Sequence, residues 1–586
     1  MKTIGIIAEY NPFHNGHKYQ IEELKKRTNA DYVVIAMSGN FVQRGVPALC
    51  DKYSRARMAL VCGADLVVEL PVLWATASAE LFAKGGVSLF SHMGVIDYLG
   101  FGAETDNLNL LKQIALVLSE EPTSYKDALS FYLKKGNNFP TARKLALCDL
   151  FASDIHLALN IEDNNSHLQN THLASSFEHN NACLQDVPVS ANFKNSNSRL
   201  QNTYLASSFE HNNAYLQDVP VSANFKNNNT YLQDTYLSSN FGENNASLQN
   251  ISAFSNRKNN INISELDELL NSPNNILAIE YLKAIYNQNK RMDIVFSSSN
   301  NDNLRSMCGS KQLTPILIQR KGAGYHEKSV NTLHPSATAI RNLLFSSLEK
   351  STYFQNVLSN TNDNFEIKET MPTYNYYTFS EKTTENYNKF STNELRQLSS
   401  AMPQEACSIL VNLAKEDALL NERDISAILG YRLLCLKREG YSSFADCSSD
   451  FSNKIVKNLS NYTDFSTFCE LLKSKELTHT RISRTLLHIL LDIKQNDYAF
   501  ATNLGTIPYL RILGFRKESS KLLSAIKKEA TVPLITKVAD ASSILSPDAY
   551  SIFEKDLFAS DIYYQLLSQK NGKKPMNEFT HPIVII

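Results

Sequence analysis

The sequence predicts an α/β protein: a parallel sheet covered by helices, interrupted by an Asn-rich repeat insertion and followed by an all-α C-terminal domain. Three observations lead there. Apolar runs of strand length alternate with amphipathic stretches over the first 150 residues or so, the signature of a doubly wound sheet. A fixed 16-residue recurrence then breaks the alternation. Beyond about residue 350, strand signals become few and helical spacing dominates.

Taken in order, residues 4–8, 32–37, 66–70 and 98–101 read as strands, and residues 19–26, 53–62 and 77–90 as the helices between them. VVIAM (33–37) and DLVVELP (65–71) are continuously apolar or nearly so, as buried parallel strands are. Leu-Gln then recurs at Leu168, Leu184, Leu200, Leu216, Leu232 and Leu248, always 16 residues apart, an internal repeat. Each unit offers few apolar positions among Asn and Ser, so the composition favours disorder or loose structure over an ordered stack. The α/β pattern resumes with helical 263–270 and 272–287, strand 314–320 and a helix in 336–345. The expected organisation is a first domain part at 1–163, repeats at 164–260, the second part at 261–349, a linker at 350–371, and a helical RNA-binding domain at 372–586.

Composition narrows the function classes. With 58 Lys+Arg against 59 Asp+Glu, the net charge of -1 exerts no overall pull on nucleic acid or an acidic membrane, so any RNA contact must be a local patch. Nine cysteines are scattered without CxxC pairs, which argues for reduced thiols and against a metal site. The N-terminus lacks the pattern of a secretory signal, and no run of about 18 apolar residues occurs, so the expectation is a cytoplasmic protein with no membrane partner.

The chemistry concentrates in NPFHNGH (11–17), a polar turn between a buried strand and a helix. Free backbone N–H groups and the helix dipole favour an anion there. Pro12 stiffens the turn, Gly16 admits a ligand close to the backbone, and His14 and His17 can donate hydrogen bonds to phosphate oxygens. In SATAIR (336–341), Ser336 can cap a helix that carries Arg341 in its second turn. On local grounds alone Gly102 is a strand-end glycine, Asn274 serves equally well as an N-cap, and Arg341 could pair with a carboxylate. Lys52, Arg55 and Arg57 form, with Arg44, a basic cluster; solvated surface is the default reading for the helical three, and Arg44 on its Gly-flanked loop is a candidate for substrate or RNA contact. Lys473, Lys475, Arg481 and Arg484, and farther on Arg511 and Arg516 beside Tyr509 and Phe515, mix cations with aromatics as RNA-contacting surfaces do.

HNGH and SATAIR, in order at the two ends of one α/β domain, resemble the HxGH nucleotidyltransferase superfamily, whose Rossmann-like core is shared with class I aminoacyl-tRNA synthetases. More narrowly, GIIAEYNPFHNGH (5–17), MSGNFVQRG (37–45), ADLVVELP (64–71), LGFGAE (99–104), SPNNIL (272–277) and PYLRILGF (508–515) resemble the bacterial tRNA(Met) cytidine acetate ligase family. That resemblance implies ATP-dependent activation of acetate to acetyl-adenylate, then acetyl transfer to the N4 amine of the wobble cytidine of elongator tRNA(Met). It implies ATP contacts from Ile7, Ala8, Glu9, Tyr10, Asn11, Pro12, Phe13, His14, Asn15, Gly16, His17, Lys18, Tyr19 and Gln20, with Gly102, Asn274, Arg320, Lys321 and Ser336. His14, His17 and Arg341 would be catalytic, and Arg44, Lys473, Lys475, Arg481, Arg484, Arg511 and Arg516 would contact RNA. Whether Mg2+ accompanies the pyrophosphate stays open. So do two rival functions: a cofactor-type adenylyltransferase acting on a phosphate monoester, and a non-catalytic RNA-binding protein.

Overall fold

The computed structural model describes residues 1–153, strands within 159–253, and residues 263–298, 311–320, 336–360 and 390–586. Two compact units result, one of Met1–Glu120 with Asn271–Ile586 and the other of Glu121–Leu270.

In the first unit the chain runs through β1 (Thr3–Ala8), α1 (Asn15–Thr28), β2 (Tyr32–Ser38), the short hairpin strands β3 (Phe41–Val42) and β4 (Val46–Pro47), α2 (Lys52–Val61), β5 (Leu66–Leu70), α3 (Val72–Ala75), α4 (Ala79–Met93) and β6 (Tyr98–Ala103). Strand Thr314–Gln319, β6, β1, β2 and β5 lie side by side in that order, all parallel. Successive strands step from β1 to β2 to β5 in one direction, and the chain then returns to place β6 on the other flank of β1. That reversal leaves a crevice at the carboxyl ends of β1 and β6, where ligands of open α/β sheets bind. Gly100 in β6 has no room for a Cβ, which would lie 2.4 Å from Leu24 Cδ1, so α1 packs closely onto the strand.

The C-terminal region is largely helical, as expected, but it is neither purely helical nor a separate unit. Strand Leu510–Phe515 pairs antiparallel with β5, and Leu534–Ile535 and Val584–Ile585 pair with it in turn, extending the sheet. Leu398, Leu410, Val411 and Leu513 share one buried core with Ile4, Ile6, Val33 and Ile35. PYLRILGF was visible as a motif, yet isolated from its partner strand it carries no sign of joining the N-terminal sheet. Helix Ala337–Asn360 runs through the first residues of the linker expected at 350–371; 361–371 lie outside the described residues.

The second unit contains helices Thr123–Lys134 and Phe139–Ser153, linked by a 2.7 Å hydrogen bond from the Tyr132 hydroxyl to Asp149. The repeats overturn the expectation of disorder or loose structure. They form two parallel sheets in which the backbone of Leu168 is level with that of Leu184, and so on through Leu200, Leu216, Leu232 and Leu248. A constant period puts equivalent residues opposite one another along the ladder of paired strands.

Candidate active site

The turn after β1 is held from several sides. Tyr10 adopts the left-handed φ of +49°, a conformation whose strain, about 1–3 kcal/mol, accumulates at functional turns. The Asn11 side chain accepts from the Leu49 amide at 2.7 Å. His14, buried, is the N-cap of α1: its Nδ1 accepts from the Gly16 amide at 3.1 Å, while Nδ1 of His17 accepts from the His14 amide at 3.3 Å. The two rings stack with centroids 3.7 Å apart and planes 22° from parallel. Because its Nδ1 is an acceptor, the neutral ring of His17 carries its proton on Nε2, the tautomer this hydrogen bond assigns. Tyr10 packs its ring against His17 at 4.7 Å and Phe13 does so at 5.5 Å. His17 is held neutral, its pKa pushed well below the ordinary value first by burial and then by the charges of His14 and Arg320.

SATAIR arrives from across the chain. Ser336 caps its helix by accepting from the Ala339 amide at 3.2 Å, and Arg341 Nη1 donates to the Asn11 carbonyl at 2.6 Å. Thr338 Oγ1 accepts from Arg341 Nη2 at 3.1 Å and from Arg44 Nη1 at 3.2 Å.

At the end of β6 a second cluster gathers. A Cβ on Gly102 would lie 3.2 Å from Arg320 Cγ, and Arg320 Nη1 donates to Asn274 Oδ1 at 3.0 Å. Asn274 Nδ2 donates to Glu104 Oε1 at 2.6 Å, and the Asn275 amide to Glu104 Oε2 at 3.0 Å. Asn275 Oδ1 in return accepts from the amides of Glu104 and Thr105 at 2.9 and 3.2 Å. The charge of Arg320 acts on His17, so the β6 cluster and the HNGH turn share one electrostatic environment. Gly102, Asn274, Arg320, His14, His17 and Arg341 are thus brought to the crevice predicted by strand order. Lys321 lies outside the described residues.

Glu104 and Thr338 escaped the sequence reading as site residues although each stands inside a quoted motif; a polar side chain within such a motif was the available signal. Arg55 escaped it more completely. It is fully buried and donates to the carbonyls of Glu9 at 2.7 Å, Ser38 at 2.9 Å and Cys50 at 3.0 Å, and also to Gly39, pinning the carboxyl ends of β1 and β2.

Several expected surface cations are not on the surface. Arg511 is only 2 % exposed and pairs with Glu69 at 3.0 Å and with Glu578, which excludes it as an RNA contact. Lys52 is likewise buried, 2.9 Å from Glu69 and 2.8 Å from Glu578. Arg484 pairs with Asp446 at 3.0 Å. Lys473 and Lys475 are exposed, whereas Arg481 and Arg516 are half-buried. Among the described residues no group of three or more His, Cys, Asp or Glu gathers as a metal site, and no helix is long and apolar enough to cross a membrane.

The HIGH nucleotidyl transferase family model matches residues 1–239 and 303–578. The tRNA(Met) cytidine acetate ligase of Caldanaerobacter subterraneus subsp. tengcongensis is 30% identical over 587 residues, covering 100% of both chains. That of Halothermothrix orenii is 28% identical over 588 residues, covering 100% of this chain and 99% of the relative. The crystal structure of apo Thermotoga maritima TmcAL superimposes with a TM-score of 0.66 at 21% identity, and that of TmcAL bound with alpha-thio ATP with a TM-score of 0.63 at 20% identity. Both structures cover 100% of each chain and share the fold described above.

Proposed function

The chain belongs to the tRNA(Met) cytidine acetate ligase family of HIGH nucleotidyl transferases, and from that premise we propose that it joins acetate to the N4 amine of the wobble cytidine of elongator tRNA(Met) at the expense of ATP. An acetate oxygen attacks the α-phosphorus, the bond to the β-phosphate oxygen breaks, and pyrophosphate leaves with the electron pair. The cytidine N4 then attacks the acetyl carbon of acetyl-adenylate, AMP leaves, and N4 loses a proton to give N4-acetylcytidine.

The observation that carries this reading is the hydrogen bond from Arg341 to the Asn11 carbonyl, which joins SATAIR to the HNGH turn. It supports one polyphosphate site with imidazole donors from His14 and His17 and a guanidinium from Arg341. Acetate needs no covalent enzyme intermediate, only alignment with the α-phosphorus and neutralisation of the leaving group. Nitrogen donors dominate this set and do not make an oxygen cage for Mg2+, so an ion accompanying pyrophosphate would be carried by the phosphates. Exposed Lys473 and Lys475 are the candidates for contacting the tRNA, a substrate that places the reaction in the cytoplasm.

The deciding experiment is acetate-dependent exchange of labelled pyrophosphate into ATP, followed by mass spectrometry of nucleosides from tRNA(Met) incubated with ATP and labelled acetate. Exchange and labelled N4-acetylcytidine are expected. Exchange that ignores acetate, or an unmodified tRNA, refutes the assignment.

A further inference from the structure

We propose that Arg44 binds the polyphosphate of ATP together with Arg341 rather than contacting RNA; this assignment rests on the acetate-ligase reading. Its basis is a shared hydroxyl. Thr338 Oγ1 accepts from Arg44 Nη1 at 3.2 Å and from Arg341 Nη2 at 3.1 Å, so the two guanidinium nitrogens lie no more than two hydrogen-bond lengths apart. Arg341 in turn is bonded to the HNGH turn through the Asn11 carbonyl.

The loop carrying Arg44 is pinned on either side of it. The Gln43 amide donates to Glu9 Oε1 at 2.9 Å, tying the hairpin to the segment that leaves β1. The Ser483 hydroxyl donates to the Gly45 carbonyl at 3.0 Å, tying it to helix His479–Leu490. Gly45 has a φ of +78°, and a Cβ there would lie 2.4 Å from the Arg484 backbone nitrogen, so only glycine permits this approach. Arg44 itself is half-buried. A side chain held in this way is preorganised for a rigid, multiply charged ligand. During activation, as the bond between the α-phosphorus and the β-phosphate oxygen breaks, the departing electron pair adds negative charge to the pyrophosphate, which Arg44 and Arg341 neutralise together.

The test uses the full chain and its Arg44→Ala, Arg44→Lys and Thr338→Val variants, each checked for folding by thermal melting. Three quantities are measured: affinity for labelled ATP without acetate, acetate-dependent exchange at varied pyrophosphate and varied acetate, and retention of tRNA(Met). Arg44→Ala is expected to weaken ATP binding and raise the KM for pyrophosphate by about 10- to 100-fold, the worth of hydrogen bonds to a charged group. The KM for acetate and tRNA retention should stay as in the parent protein. Arg44→Lys keeps the charge but loses the planar fork and should recover part of the loss. Unchanged ATP binding and exchange with falling tRNA retention overturns the proposal, as does a rise confined to the KM for acetate. Should Arg44→Ala not fold, Thr338→Val decides: a raised pyrophosphate KM supports the shared site and an unchanged one overturns it. ATP binding by the parent protein without acetate-dependent exchange refutes the ligase reading, and Arg44 is then judged on ATP affinity alone.

Discussion

Arg341 donates a hydrogen bond of 2.6 Å to the backbone carbonyl of Asn11, a residue 330 positions earlier in the chain. The contact closes the crevice of the candidate site, because it joins the residues after β1 to a helix that enters only after the repeats and strand Thr314–Gln319. Its consequences can be measured.

Arg341→Ala should lower acetate-dependent pyrophosphate exchange by about 100-fold or more, the usual cost of removing one preorganised donor from developing negative charge. Filter retention of tRNA(Met) should not change. An equal loss of tRNA binding would assign Arg341 to RNA instead.

His17 should be neutral well below the ordinary imidazole range, for burial and the neighbouring charges of His14 and Arg320 all disfavour its protonated form. The lowered folded value means that the stability held by neutral His17 is complete above its unfolded pKa and declines as pH falls toward the folded one. Removing a cation raises that folded value, so Arg320→Ala should move the NMR titration of His17, and the acid limb of the exchange rate, to higher pH. An unmoved titration would separate the β6 cluster from the histidines.

Arg511→Met and Lys475→Ala should fail in different assays. Cutting Arg511 away leaves Glu69 and Glu578 with an uncompensated buried charge, a loss of about 3 to 5 kcal/mol readable by denaturant titration. At a temperature where the variant is folded, its dependence of tRNA affinity on salt should match the parent. Lys475→Ala should leave stability alone and lower the salt slope by about one.

Asp556 is buried, accepts from the Val72 amide and the Tyr509 hydroxyl, each at 2.7 Å, and its pKa is pushed up to about 7, first by burial and then by Glu69. The folded protein therefore holds a proton that the unfolded chain releases near 3.8, and the contribution to stability declines as pH rises from there to about 7. Asp556→Asn should flatten that part of the profile in melting experiments. A variant with the slope of the parent would show that Asp556 does not hold the proton.

How far the sequence could be read depended on the range of the interactions concerned. The alternation of apolar runs, the capping chemistry of His14 and Ser336, and the 16-residue period are properties of neighbouring residues, so they are legible without a fold. The motifs of the candidate site are of the same kind: HNGH, LGFGAE, SPNNIL and SATAIR are each short, and each ends or begins an element at the crevice. Even the order of the repeats was implicit in their period, although composition alone argued against it.

Arg511 and Lys473 look alike along the chain, cations among apolar and aromatic residues. Only the pairing of strand Leu510–Phe515 with β5 decides between them, because it sets Arg511 opposite Glu69 inside the core. Arg55 and Arg57 stand two positions apart on one helix, and packing alone buries the first against four strand-end and loop carbonyls while leaving the second exposed. Chain-local patterns determined which segments are strands, helices, caps and turns. Which charges are sealed in the interior, and which guanidinium groups meet at one hydroxyl, was decided by contacts between residues hundreds of positions apart, where burial and long-range pairing leave no periodic trace in the sequence.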